Sequence, residues 1–167
     1  YPIKLPQSSD DFESTNLSPQ WEWNYQPRAD RWSLSDRPGY LRLYAFKPLS
    51  TDNLFKAGNT ISQRFMRTDY GVATTKMDIG SMADGQEAGL THFDGGSRYC
   101  TIGVVQRNGI KYFRYREYPN AVDILGPEIP SSITTVWFKS IMNNSQNIAF
   151  MYSLDGVNFT QLGGTYD

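Results

Sequence analysis

An all-β antiparallel sandwich of two sheets is the fold that this sequence predicts, and three observations predict it. Short runs in which apolar and polar residues alternate recur along the chain at strand spacing. The separators carry turn chemistry, as at Pro38-Gly39, Asn108-Gly109 and Asp155-Gly156. Aromatic residues make up 14% of the chain, beside 14 glycines and 9 prolines, which is the composition of a turn-rich β domain, and no segment holds a helical period.

Size and charge narrow the function classes. A length of 167 residues suits one domain with a real core. Basic and acidic residues nearly cancel, 16 against 17, so no electrostatic field steers the chain to nucleic acid or to an anionic membrane. No apolar run reaches the length of a membrane span, and Tyr1-Pro2-Ile3-Lys4 is not expected to be a secretory leader. Cys100 stands alone, which excludes an internal disulfide and a cysteine zinc site. His92 is also single, which excludes a His-rich metal site.

Taken in order, residues 1–9 read as an extended lead-in, and residues 10–167 as one sandwich domain. Phe12 among Asp10, Asp11 and Glu13 suggests an edge strand. Trp32-Ser33-Leu34 and residues 40–45 alternate around Arg37-Pro38-Gly39, predicting a hairpin with Leu41, Leu43 and Ala45 inward and Arg42 and Tyr44 outward. Residues 46–58 read as a loop, followed by strands over 60–66 and 72–79. Further strands are predicted over 88–93, 99–106 and 111–117, with Asn108-Gly109 the strongest hairpin signal. Residues 120–132, with Pro127 and Pro130, read as a crossing between sheets. Strands over 134–142, 148–154 and 158–162 complete the pattern.

Candidate chemistry concentrates in aromatic and polar side chains. Trp21, Trp23, Tyr25 and Trp32 fall within twelve residues, interleaved with Asn24, Arg28 and Arg31. Flat rings beside fixed hydrogen-bonding groups suit a sugar, whose axial C–H face stacks on an indole while polar groups take its hydroxyls. Large aromatics also dominate most cores, so two readings stand for each tryptophan. Gln63 and Arg64 could furnish hydroxyl contacts from the strand over 60–66, and Arg114 from an outward row with Tyr112 and Arg116. Trp137 alternates with Val136 and Phe138 and so points away from them, towards solvent or a groove. His92 shares a face with Leu90, as a satisfied core histidine does.

The acidic residues admit two kinds of chemistry, hydrolysis and metal binding. Glycoside hydrolysis needs two carboxyls flanking the scissile bond. Of the five glutamates, Glu22 and Glu117 could meet across a sheet, but nothing local supports such a pair, and no catalytic residue is assigned. Asp10, Asp11 and Glu13 offer the hard oxygen ligands that calcium takes, so a structural calcium is one reading of them, beside the commoner one of solvated acids.

Several blocks match a known pattern in order: Trp21-Glu22-Trp23-Asn24, Arg31-Trp32-Ser33-Leu34, Arg37-Pro38-Gly39-Tyr40-Leu41-Arg42-Leu43, Asn59-Thr60-Ile61-Ser62-Gln63-Arg64 and Met82-Ala83-Asp84-Gly85-Gln86-Glu87-Ala88-Gly89-Leu90. Over about residues 10–162 the chain resembles the concanavalin A-like C-terminal module of family 43 glycoside hydrolases, the β-xylosidase and arabinofuranosidase group, a module class also treated as xylan-binding. The resemblance implies a jelly-roll sandwich of the lectin and glucanase type, packed against a five-bladed propeller that carries out hydrolysis. It also implies a bacterial protein acting outside the cytoplasm, in the periplasm or on the cell surface. Such modules continue past Tyr166-Asp167 with further strands, so it implies either missing C-terminal strands, with an open sheet edge, or a shorter variant.

The function expected is therefore non-catalytic binding of xylan or xylo-oligosaccharides, beside a family 43 catalytic domain. The ligand contacts expected are Trp23, Asn24, Arg31, Trp32, Gln63, Arg64, Arg114 and Trp137. The alternative is a structural accessory domain that packs on the catalytic propeller and walls its active site. A small glycanase acting alone is the third reading.

Overall fold

A computed structural model describes residues 7–24, 26–48, 54–64, 70–94, 97–143, 145 and 147–167. The chain forms two compact units, Tyr1–Phe65 and Met66–Asp167.

The first unit is held by two short antiparallel ladders. Strand β1 (Glu22–Trp23) and strand β2 (Trp32–Ser33) are separated by a 3-10 turn at Ala29–Arg31. Strand β3 (Arg42–Leu43) pairs with β2, Trp32 opposite Leu43, as the predicted hairpin requires. Strand β4 (Ile61–Ser62) pairs with β1, Trp23 opposite Ile61. The strand expected over 60–66 is thus two residues long among the described residues, and 65–66 lie outside them. Residues 10–13 form no strand. The expected facing of the hairpin is also corrected, since Leu43 is 42% exposed while Arg42 and Tyr44 are half-buried. Two rungs do not build a sheet with an inner face, and local bonds decide instead. The Tyr44 hydroxyl donates to Asp36, and Asn59 Nδ2 donates to the Tyr44 carbonyl at 3.0 Å.

The second unit is the sandwich. Its strands are β5 (Tyr70–Asp78), β6 (Glu87–Phe93), β7 (Tyr99–Arg107), β8 (Ile110–Tyr118), β9 (Val122–Ile129), β10 (Thr135–Asn143), β11 (Ile148–Ser153) and β12 (Thr160–Tyr166). One sheet runs β12-β11-β10-β5 and the other β6-β7-β8-β9, all antiparallel. The Asn108-Gly109 turn does what its chemistry predicts. Both residues take positive φ, 51° and 77°, and Arg107 pairs with Ile110 across a two-residue loop. The stretch expected to cross between sheets is instead strand β9. Pro127 is tolerated because β9 is an edge strand whose register shifts between Tyr112 and Arg114, a bulge that removes the ladder bond proline cannot make.

Alternation builds the core. Ile102 and Val104 of β7, Phe113 and Tyr115 of β8, Val136 and Phe138 of β10, and Phe150 of β11 are sealed between the sheets. Phe113 meets Phe138 edge-on at 6.1 Å and stacks on Tyr152 at 4.0 Å, so the two sheets interlock through aromatic contacts. A buried polar contact crosses this layer: His92 Nε2 of β6 lies 2.9 Å from the hydroxyl of fully buried Ser140 of β10. That bond satisfies a group that would otherwise be costly to bury, and it matches the expected satisfied core histidine.

Candidate functional site

In the first unit the aromatic cluster packs against itself. Trp23 and Trp32, brought together by β1 and β2, have ring centroids 5.3 Å apart at 49°, and both are half-buried. Trp21 stacks on Phe12 at 5.6 Å and donates its indole N–H to Asp10 at 2.8 Å. Tyr25 lies outside the described residues. Asn24 donates to the Phe55 carbonyl at 3.1 Å, closing the loop that ends in the 3-10 turn Leu54–Lys56. Arg31 sits 5.8 Å from the Phe46 ring centroid, and its Nε lies 3.1 Å from Asp30. Gln63 donates to the Ser8 carbonyl at 2.9 Å, and Arg64 is exposed. The unit therefore directs most of its predicted sugar contacts into its own loops.

Two of the acids expected to hold calcium accept hydrogen bonds from neighbours close in the chain. Asp10 accepts from the Phe12 N–H at 2.9 Å and from Trp21, while Asp11 accepts from the Glu13 N–H. Burial raises the Asp10 pKa, but those donors outweigh it and hold the carboxyl below its ordinary range. Among the described residues no group of three or more His, Cys, Asp and Glu side chains could hold a metal ion. The Asp10 and Asp11 carboxylates are thus engaged by local N–H donors.

In the second unit, Arg114 and Arg116 project from the outer side of β8, opposite to buried Phe113 and Tyr115. Arg114 pairs bidentately with Asp123 of β9, at 2.8 and 2.6 Å, and reaches Glu87 of β6 at 2.8 Å. Glu87 also takes Arg116 at 2.8 Å. The Asp123 bond is the main reason the Arg114 pKa is raised, and Arg114 in turn holds Asp123 below the usual carboxylate range. Arg114, expected as a sugar contact, is the centre of a clamp across three strands. Glu87 and Asp123 were the residues that sequence reasoning missed. The alternation Arg114-x-Arg116 was legible, but its acid partners are set by strand register.

Glu117 accepts from the Tyr115 hydroxyl at 2.6 Å and from Asn120 at 2.9 Å, which explains it without catalysis. Glu22 is an exposed residue of β1. A shallow depression between the β7–β8 turn and the end of β9 is lined by Gly109, Ile110, Lys111, Glu128, Ile129 and Ser131, with no predicted contact in it.

Trp137 keeps the role the alternation predicted. Val136 and Phe138 are fully buried, and Trp137 lies half-buried on the opposite, outer side of β10. Its ring rests on Gly156, whose φ of +77° and lack of a side chain allow the approach, since a Cβ there would stand 2.9 Å from the indole. The supporting turn is tightly made. Asp155 accepts from the N–H groups of Val157 and Asn158, both at 2.8 Å, and from the Ser153 hydroxyl at 2.9 Å. These donors hold its carboxyl well below the usual range.

Comparisons with known proteins agree with this architecture. The family model described as the beta xylosidase C-terminal concanavalin A-like domain matches residues 9–167. A beta-xylosidase of Formosa agariphila is 36% identical over 99% of this chain. A bifunctional GH43-CE protein of Bacteroides eggerthii superposes with a TM-score of 0.82 at 30% identity, over 93% of this chain and 20% of that one. A GH43 protein of Bacillus licheniformis does so with a TM-score of 0.78 at 27% identity, over 98% and 32%. The chain spans 30% of the length of the Formosa enzyme.

Proposed function

The chain belongs to the family of β-xylosidase C-terminal concanavalin A-like domains, and from that premise we propose that it serves as a structural accessory domain, packing on the catalytic portion of a family 43 glycoside hydrolase. The domain itself is the non-catalytic part of such enzymes. The observation that carries this reading is the fate of the predicted sugar contacts. Asn24 and Gln63 donate to backbone carbonyls, and Arg114 is engaged by two carboxylates. Side chains already paired with one another rigidify a scaffold and offer little to a free glycan. Strand β9 adds support, as an edge strand that shows Ile124 and Leu125 to solvent at 37% and 47%.

Deleting the domain from the enzyme that carries it is expected to lower both the Tm of the remainder and its activity on an aryl xyloside. Adding the domain back as a separate chain is expected to restore both in part. Unchanged Tm and activity after deletion would overturn the proposal. A setting outside the cytoplasm follows from the same reading, since such enzymes meet plant polysaccharide or its fragments there. Cell fractionation of the source organism checks it.

A second reading, contact with xylan, is favoured by Trp137 alone, because a half-exposed indole on a rigid turn is a stacking platform. One stacked ring contributes about 1 kcal/mol beyond its area burial, so millimolar affinity is expected for neutral xylo-oligosaccharides. Titration with xylohexaose measures it, and absence of heat at millimolar ligand removes this reading while leaving the accessory role intact.

A further inference from the structure

From the contact between Asp84 and the β7–β8 turn, we infer that Asn108-Gly109 is a site of spontaneous covalent modification, deamidation through a cyclic imide, and that Asp84 is the residue that restrains it.

The reaction requires a side-chain amide free to turn, a following backbone nitrogen open to it, and removal of that nitrogen's proton. Asn108 and Gly109 are both exposed, and among the described residues no hydrogen bond engages the Asn108 side chain. Nothing lies within 4 Å of the position that a Cβ on Gly109 would take, so no neighbour shields the turn from water on that side. Hydroxide takes the Gly109 N–H proton and the nitrogen attacks Asn108 Cγ. A bond forms between that nitrogen and Cγ, the Cγ–Nδ2 bond breaks, and ammonia leaves with a proton from water. Water then opens the five-membered imide. Opening at Cγ leaves aspartate, and opening at the backbone carbonyl leaves isoaspartate, with the main chain rerouted through the former side chain. Neither an oxidant nor a cofactor enters.

The restraint comes from the segment that precedes β6. Gly109 donates its N–H to Asp84 Oδ1 at 2.7 Å, and Gln106 Nε2 donates to the same oxygen at 3.2 Å. That segment is itself tied to the hairpin, because the Gly85 N–H donates to the Gln106 carbonyl at 2.9 Å and the Gln106 N–H to the Gln86 carbonyl at 3.1 Å. Asp84 is therefore delivered by a braced backbone. A carboxylate is too weak a base to take an amide proton, yet its negative charge opposes the amide anion that the attack requires. The charge-assisted bond also keeps the nitrogen engaged until it breaks. On the hairpin side the ladder fixes the turn, with Arg107 opposite Ile110 and both turn residues at positive φ. Modification would place a second carboxylate one residue from the N–H that Asp84 holds, and isoaspartate would lengthen a loop that strand register allows only two residues.

The test incubates the full chain at mildly alkaline pH and follows residue 108 by mass spectrometry of hairpin peptides, with isoaspartate counted by enzymatic methylation. The urea-unfolded chain supplies the unrestrained rate. Folded wild type is expected to react at least about tenfold more slowly than that, since the turn must open first. Asp84→Ala, checked for an unchanged circular dichroism spectrum, is expected to react about threefold to tenfold faster than wild type, the factor that one exposed charge-assisted hydrogen bond supplies. Asp84→Asn keeps an acceptor oxygen without the charge, and is expected to fall between the two. A folded Asp84→Ala that modifies Asn108 at the wild-type rate would overturn the inference, as would wild type reacting as fast folded as unfolded. Should Asp84→Ala not fold, Asp84→Asn decides, and a wild-type rate in it would overturn the inference equally.

Discussion

His92 illustrates how one side chain ties fold to pH. It is the single histidine of the chain, and burial lowers its pKa from the ordinary 6.5 to about 4. The unfolded chain therefore binds this proton more readily than the native one between those values. Stability is full above about pH 6.5 and falls as pH drops towards 4, by up to about 1.4 kcal/mol per pH unit. Urea midpoints for His92→Gln are expected to lose that slope between pH 6.5 and 4, whereas a slope equal to wild type would show that carboxylates cause it. Gly163 sets a second residue-level limit. It combines a φ of +85° with a position where a Cβ would stand 2.4 Å from the fully buried Tyr115 ring. Gly163→Ala is expected to cost about 2–4 kcal/mol from backbone strain and overpacking together, measurable by chemical denaturation. Cys100, also fully buried, has its thiol pushed up to about 12 chiefly by burial, which leaves it inert at neutral pH.

At the scale of elements, the clamp of Glu87, Arg114, Arg116 and Asp123 ties β6, β8 and β9 on the outer side of one sheet. The Arg114 side chain is 13% exposed and that of Glu87 26%, so their ion pair is only partly screened. Removing one partner leaves a half-desolvated charge unpaired. Glu87→Gln is expected to lower stability by about 1–3 kcal/mol, less than a fully buried pair would lose. Arg114→Ala is expected to lower Tm without changing affinity for any xylo-oligosaccharide. A variant that kept its Tm but lost ligand binding would return Arg114 to the list of sugar contacts. Strand β9 belongs to the same scale. Its proline sits where a bulged edge strand can hold it, and a sequence scan that treats proline as a stop misses such a strand.

For the whole molecule, the predictions concern what the domain needs from outside. Asp10 and Asp11 are engaged by local N–H donors, so EDTA is expected to shift Tm by less than about 1 °C, against the roughly 2–4 °C that 1 kcal/mol produces at this chain length. A larger drop, reversed by calcium alone, would show that a structural ion is bound. The enzyme-level deletion and the xylohexaose titration probe separate properties, since packing on a catalytic portion and contact with xylan use different surfaces. Strand β9 bears on the first and the Trp137 face on the second.

Alternation and turn chemistry determined much of this protein from the sequence alone. Period-two patterning in β8 and β10 specified which side chains line the core, because successive side chains of a strand must point to opposite faces, whereas β7 is buried along most of its length. The same rule sent Trp137 outward and Arg114 away from Phe113 and Tyr115. Recognition of ordered sequence blocks brought the family within reach. Tertiary structure decided what each outward residue meets. Whether Arg114 is free or clamped depends on which acids the neighbouring strands bring to its rung, and register is a long-range property set by bulges and turns together. Whether an indole is a platform or a core ring depends on burial by partners distant in sequence, as with Trp23 against Trp32, and Trp137 over Gly156. Local pattern encodes direction, while the meeting of two directions is a fact of three dimensions.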